Sequence, residues 1–499
     1  MAGNKEERRI AMKKVIACLL SALMLFITVT PAFAVGETNT GYKITNPYES
    51  VTSLLGNPDN HYKTNLHTHS TVSDGRVTMP EMIKEYYAQN FDILAMSEHG
   101  IIGKPWNEEP THYYLMRICT FVNALSDSDD YYKRQYDILT DEEYEAITEG
   151  TYGFDADGNY TVKSAVGFAE ESCRTYGRGM KCMTSGIELS AASIMQNHVN
   201  GYFSDWGECV SGLLTQEGDY EYFISNAEKA GGVTVINHPG HYLNSGSIEE
   251  NARDKNQLFY FSGLLNKYES CLGIETFNNR DTESSNNRVF WDELLQYVIP
   301  YGRRNVFGFS NSDAHDFKRI DTEFMDFVLP SYSMDNMRFA MENGCFFATG
   351  RLANKDGELD RNTERKGPVP QVTSINVDDE HDVITVTAKN AERIEWVANG
   401  KVIETEVSGK DNGEIESVIC LEDYADDITC YVRFQIFGDG GHCYSNPFIC
   451  DDGNMSRFII EDDRSTAEIG LDKAKRLLTE NILGALLQVL GWAIEKELH

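Results

Sequence analysis

Apolar runs that stop abruptly on a histidine or an acid recur along this chain, and they restrict its fold more than any other feature. Lys63-Thr64-Asn65-Leu66-His67-Thr68-His69 is followed by Asp74-Gly75. Side chains alternate along an extended strand, so His67 and His69 project to one face. Phe91-Asp92-Ile93-Leu94-Ala95-Met96-Ser97-Glu98-His99 repeats the form, as do Met183 to Glu188, Asn197-His198-Val199, Val233 to Pro239 around His238, Leu272 to Asn278 around Glu275, and Val306 to His315 around Asp313. Each reads as a buried strand delivering polar groups at its end.

Segments of helical character lie between them, at Met79 to Asn90, Asp219 to Ala230, Asn286 to Val298 and Ser333 to Asn343. Strands alternating with helices predict an α/β fold in which the strand ends share one rim. Seven such ends predict a distorted, seven-stranded TIM-like (β/α)7 barrel. The rim would gather six histidines (67, 69, 99, 198, 238, 315) and three carboxylates (74, 188, 313). Imidazole and carboxylate without thiolate suit zinc, manganese or iron, and a carboxylate shared by two divalent ions is the usual device for activating water. The expected nucleophile is therefore a metal-bound water, with Glu98, Glu275 and Asn278 as candidate supporting groups. Phosphate esters gain most from such a site, because their transition state spreads negative charge over several oxygens. Arg76 and Arg280 are the nearest basic residues in sequence, and each reads more simply as a surface arginine.

His67-Thr68-His69, Asp74-Gly75, Ser97-Glu98-His99, Gly186-Ile187-Glu188, His198, Asn237-His238-Pro239 and Ser312-Asp313-Ala314-His315 together resemble the polymerase and histidinol phosphatase (PHP) metallohydrolases. The resemblance spans about residues 60 to 350, and Met341 to Gly350 is similar to the end of the domain in the secreted CehA/McbA-like branch. It implies that His67, His69, Glu188 and Asp313 hold one metal. Glu188 would bridge to a second with His198 and His238, and Asp74, His99 and His315 would hold a third. Two or three divalent ions are thus expected, serving hydrolysis of a small phosphomonoester or phosphodiester. The chain departs from the family at Glu98, where an aspartate is more usual. Two other readings are open here: hydrolysis of a carbamate or carboxylic ester, and a surface binding protein with a vestigial barrel.

Lys13-Lys14, an apolar run from Val15 to Val29 and Ala32-Phe33-Ala34 predict a signal peptide over 1–34, cleaved after Ala34, and hence a secreted or extracytoplasmic protein. The formal net charge of −34 becomes −37 once these residues, of net +3, are removed. Such a field disfavours long nucleic acid as a partner. Ten cysteines would remain in an oxidising compartment, and Cys420, Cys430, Cys443 and Cys450 are the expected disulfide formers.

The hydrolase barrel is expected over 35–351. A tyrosine-rich insertion at about 103–180 is expected to cover its mouth, with packing on the barrel's side as the alternative. Alternating patterns over 371–450, with Asn399-Gly400 as a two-residue hairpin turn, predict a C-terminal β-sandwich that supports the barrel. Ser465 and Glu468 form a capping box opening an amphipathic helix over 465–499. Contact of this helix with a membrane surface is the less favoured expectation, against packing on its own barrel. His112, His241, His381 and His442 read as ordinary histidines, and Asp155 to Asn159 as a turn rather than a calcium loop.

Overall fold

The computed structural model describes residues 41–111, 137–166, 174–189, 198–208, 220–239, 252–281, 284–360, 365–408 and 413–478. The expected signal peptide, His112, His241 and the tail beyond 478 lie outside them. In chain order the strands are β1 (Lys43–Thr45), β2 (His61–Asn65), β3 (Ile93–Leu94), β4 (Lys181–Cys182), β5 (Ile187–Leu189), β6 (Val199–Tyr202), β7 (Val233–Ile236), β8 (Cys271–Phe277), β9 (Phe307–Ser310), β10 (Glu323–Val328) and β11 (Phe346–Gly350). They continue with β12 (Gln371–Asp378), β13 (Val383–Lys389), β14 (Arg393–Ala398), β15 (Lys401–Val407), β16 (Ile415–Cys420), β17 (Tyr431–Gly438), β18 (Gly441–Tyr444) and β19 (Phe448–Asp451). The helices are α1 (Met79–Ala88), α2 (Asp141–Glu149), α3 (Tyr220–Lys229), α4 (Lys255–Lys267), α5 (Ser285–Gly302), α6 (Met334–Asn343) and α7 (Thr466–Leu478).

The fold is mixed α/β, and its strands do not form one regular parallel barrel. One sheet runs β5-β6-β7-β8-β9, while β2, β3 and β4 belong to a larger sheet that also holds β10 and β11. Isolated parallel bridges connect the two sheets, Thr68 with Ala314 and His99 with Glu188. β6 runs antiparallel to both β5 and β7. Its ligand candidate, His198, precedes the strand, so a reversed strand is what brings it to the same rim as the others.

Local sequence explains the helices. Thr78 and Glu81 form a reciprocal capping box at the start of α1, and Ile83, Tyr86 and Tyr87 bury its inner face. Ser333 caps α6, and Gly344, with φ 73°, closes it in the left-handed conformation that glycine adopts at least cost. α4 was not signalled by sequence periodicity; Asp254 caps it by accepting from the Asn256 and Gln257 amides.

The described parts of the 103–180 insertion pack on the side of α1 instead of covering the rim. Trp106, Ile147 and Met180 join Tyr86 and Tyr87 in one apolar cluster. Glu85 accepts from the Ala165 amide at 2.9 Å and from Ser164 Oγ at 2.6 Å, and Lys84 binds Glu143. Among its described tyrosines, Tyr144, Tyr152 and Tyr160 pack against that cluster, whereas Tyr176 is exposed. Asp155 Oδ1 accepts from the Asp157 and Asn159 amides at 2.9 Å, an Asx-type turn.

The C-terminal β module shares its sheet with the N-terminal α/β half. β18 pairs with β11 through Ala348–Tyr444, Thr349–Cys443 and Gly350–His442, and the β14-β15 hairpin turns at Asn399 and Gly400 with φ 50° and 72°. The three-stranded sheet β12-β13-β16 faces this extension, and Val386, Ile419, Trp396 and Phe434 share one apolar core with Phe346 and Phe347. A buried ion pair fastens the halves: Arg433 Nε and Nη2 donate to Asp292 Oδ1 and Oδ2 at 2.8 and 2.7 Å, and Tyr431 Oη donates to Asp292 Oδ1 at 2.8 Å. Cys420, Cys430, Cys443 and Cys450 are free thiols, correcting the expected pairing. Among the described residues no helix is long and apolar enough to cross a membrane.

Removing one partner of a buried pair leaves an uncompensated charge. Asp292→Ala should therefore destabilise the protein by about 3–5 kcal/mol, measured by urea unfolding, with the β module and the N-terminal α/β half losing their common transition.

Candidate metal centre

Most candidate ligands follow a strand end, Glu188 lies within β5 and His198 precedes β6, and at two of them the backbone is contorted. His238, just after β7, has φ 26°, and Asp313, just after β9, has φ 46°. Non-glycine residues avoid this region unless their surroundings hold them in it, and such positions concentrate at functional sites.

All nine side chains meet. Glu188, at the centre, is 1 % exposed. Its Oε1 lies 3.3 Å from His67 Nε2, 3.0 Å from His198 Nδ1 and 3.4 Å from His238 Nε2. Its Oε2 lies 3.1 Å from both His69 Nε2 and His99 Nδ1. Asp313 Oδ1 is 3.4 Å from His67 Nε2 and 3.3 Å from His69 Nε2. Asp74 Oδ2 is 3.3 Å from both His99 Nε2 and His315 Nε2.

Four overlapping groups can each hold a cation: His69 with Asp74, His99 and His315; His67 with His238 and Asp313; His67 with His69 and Glu188; His99 with Glu188 and His198. Within each group the ligand atoms lie within 4.8 Å of one another. These sets cut across the division that the PHP resemblance implies, since His99 reaches Glu188 as well as Asp74, and His238 reaches Asp313 as well as Glu188.

Hydrogen bonding aims the imidazoles. His67 Nδ1 is 2.8 Å from Glu275 Oε1, so its proton lies there and the Nε2 lone pair faces Glu188 and Asp313. Glu275 is otherwise consumed: it accepts from Asn311 Nδ2 at 3.0 Å, from Asn278 Nδ2 at 2.9 Å and from the His238 amide at 3.0 Å. Glu275 and Asn278 thus form a buried layer behind the ligands. His315 Nδ1 donates to the Asp313 carbonyl at 2.9 Å, leaving Nε2 toward Asp74. Glu98 accepts from Ser70 and Ser73 and belongs to none of the four groups.

This geometry fits metal ions. His67 Nε2 and His69 Nε2 are buried and make no hydrogen bond among the described residues, yet each faces carboxylate oxygens. The separations exceed the roughly 2.7–2.9 Å of a charge-assisted hydrogen bond. A lone pair aimed at an anionic oxygen is repulsive unless a cation lies between them.

Electrostatics point the same way. Burial opposes charge on Glu188, but His198, His99 and His67 outweigh it and hold the carboxyl well below its usual range. Asp313 and Asp74 are lowered in the same way, against burial, by His67 and His315 and by His315 and His99 respectively. Burial also opposes protonation of His69, yet the Asp313 and Glu188 carboxylates facing Nε2 and the charge of Asp74 raise it to about 10. At His198 burial wins over Glu188 and lowers the pKa, favouring the neutral imidazole that a metal requires. Without a metal, the imidazoles themselves supply the positive charge that keeps the three carboxylates ionised.

Two functional candidates escaped sequence reasoning. Asn237 Nδ2 donates to Glu188 Oε1 at 2.8 Å and fixes the orientation of the central carboxylate. Arg319 Nη1 donates to the Asp313 carbonyl at 2.9 Å and lies 3.2 Å from His315 Nδ1. Its side chain is 28 % exposed, at the edge where Asp74 and His315 also reach solvent, and its Nε and Nη2 donate to no described group. Arg76 is an exposed arginine 3.9 Å from Asp316, and Arg280 donates to the Lys318 carbonyl. His381 pairs with Asp378 at the surface, and His442 is stacked on Phe277 in the core, so neither joins the centre.

No family model and no curated protein matches the chain. Among solved structures it is similar to a two-domain protein from Bacteroides vulgatus containing a predicted PHP-like metal-dependent phosphoesterase, at 15 % identity, with 78 % of this chain and 87 % of that chain covered and a TM-score of 0.34. It is also similar to PsfC from Pseudomonas syringae, at 15 % identity, with 55 % and 85 % covered and a TM-score of 0.29. At such scores the functional reading rests on the side chains themselves.

Glu275→Ala removes the acceptor that fixes the His67 ring. It should lower metal affinity about 10–100-fold, read by chelator competition and elemental analysis, while the protein stays folded.

Proposed function

We propose that this protein is an exported, PHP-like metal-dependent phosphoesterase. One observation carries the reading: nine imidazole and carboxylate groups converge in one buried cluster, five of the imidazoles on Glu188 itself. In this reading Glu188 is shared between ions. His67, His69 and Asp313 complete one ligand set, His198 and His238 a second, and Asp74, His99 and His315 a third. The circuit of pairings from β2 through β3, across His99–Glu188 to β5, along the sheet to β9 and back through Ala314–Thr68 supports a distorted seven-stranded barrel as the scaffold. Export rests on the sequence of residues 1–34 alone.

What divalent ions supply when bound is a lowered pKa for an attacking water and neutralisation of charge on phosphoryl oxygens. The chain's own groups do the rest. Glu275 and Asn278 keep His67 from turning, Asn237 keeps Glu188 from turning, and His67, His69 and Glu188 wall off the interior side of the centre. Among the described residues Asp74 and His315 reach solvent, and there Arg319 Nε and Nη2 are donors for an arriving anion. A guanidinium in that position favours a phosphate over a neutral ester carbonyl.

Metal analysis combined with turnover of phosphomonoesters, phosphodiesters and carboxylic esters tests the assignment. Phosphoester turnover should be lost on chelation and restored by Zn²⁺ or Mn²⁺. Glu188→Gln and Asp313→Asn should each lower kcat by at least about 10²–10³-fold, the cost of losing one electrostatic stabiliser, with unfolding behaviour preserved. Full turnover and metal content in either variant would falsify the reading.

Arg319→Gln should raise KM for a phosphomonoester about 10–100-fold, corresponding to one charge-assisted hydrogen bond of ~1.5–3 kcal/mol. Metal content should not change. Steady-state kinetics showing an unaltered KM would remove Arg319 from the substrate site.

A further inference from the structure

Glu98 immediately precedes His99, and its carboxylate leaves that strand end to grip a different segment. Ser70 donates to Glu98 Oε1 from its amide at 3.0 Å and from Oγ at 2.5 Å, and its amide also lies 3.2 Å from Oε2. Ser73 Oγ donates to Oε2 in a short hydrogen bond. With its proton committed to Glu98, Ser73 Oγ is left as an acceptor 3.3 Å from His69 Nδ1. A proton on Nδ1 turns the His69 Nε2 lone pair toward Glu188 and Asp313.

The 70–75 segment is a tight return. The Gly75 amide donates to the Ser70 carbonyl at 2.8 Å, and a Cβ at Gly75 would lie 2.6 Å from Ser70 Cα, so the chain folds directly back over Ser70. Asp74 sits at the end of that return, with Oδ2 toward His99 and His315. Ser70 adjoins His69 in sequence, Ser73 adjoins Asp74, and Glu98 adjoins His99. One carboxylate therefore cross-links the three backbone positions next to three members of the four-residue group His69, Asp74, His99 and His315. An aspartate at 98 would be one methylene shorter, and the glutamate's reach is what spans both serines.

We propose that Glu98 is a positioning residue which, through Ser70 and Ser73, holds His69, Asp74 and His99 as one block and so sets the affinity of the cations those three side chains face. This rests on the metal-centre reading above and adds a residue that touches no ion. Because Ser73 acts through Glu98, removing both should cost no more than removing Glu98 alone.

The test uses the full-length protein stripped with chelator and titrated with Zn²⁺, with ions counted by elemental analysis and affinities taken from competition. Glu98→Gln and Ser73→Ala should each weaken the ions that His69, Asp74 and His99 face about 10–100-fold and leave the ion assigned to His198 and His238 bound at wild-type affinity. The double variant should match Glu98→Gln, and Ser73→Thr, which keeps the hydroxyl, should keep wild-type affinity. Unchanged affinities in both single variants, strictly additive losses, or release of every ion together would each overturn the proposal. Wild-type protein that takes up no Zn²⁺ would instead overturn the metal-centre reading itself.

Discussion

A carboxylate shut away from water is costly by several kcal/mol unless opposite charge and hydrogen bonds surround it, and Glu188 is surrounded more completely than any ordinary ion pair requires. Imidazoles of His67, His69, His99, His198 and His238 approach its two oxygens from five positions in the chain, and Asn237 adds a neutral donor. The strand ends can meet around this group only if each stops at the right height. That condition accounts for the reversed β6, the positive φ of His238 and Asp313, and the single-residue bridges that connect the two sheets.

Around this hub the polar layers are unequal. On the inner side every acceptor of Glu275 is used, and Asn311, Asn278 and the His238 amide form a continuous buried network with His67. On the outer side Asp74 and His315 are partly exposed and Arg319 keeps donors to spare. A rigid back and an accessible front are what a site needs to hold ions in fixed geometry while exchanging substrate.

Much of the centre was legible in the sequence because its ligands are of rare type and lie at the ends of apolar runs. His67, His69, Asp74, His99, Glu188, His198, His238, Asp313 and His315 all converge. Their division among individual ions was not legible, since His99 and His238 each face two groups and spacing along a strand does not choose between them. A clue to the direction of β6 was present: His198 comes before its apolar residues, whereas the other ligands follow theirs. Asn237, Ser73 and Arg319 gave no periodic signal, because a polar residue in a turn looks the same whether it supports a ligand or faces solvent. Aromatic side chains serve equally as lid or as filling, and among the described tyrosines of the insertion Tyr144, Tyr152 and Tyr160 fill against the cluster that holds Tyr86 and Tyr87 of α1. The cysteine pattern indicated pairing by number and compartment, yet spacing carries no distance, and Cys420 and Cys443 lie on strands of different sheets.

The pairing of β18 with β11 has a meaning beyond support. Without it, β11 would present a row of unsatisfied amide and carbonyl groups along its outer side, a template on which other chains can add. By occupying that row with its own backbone, the C-terminal module closes β11 to such addition and moves the open edge of the sheet outward to β15.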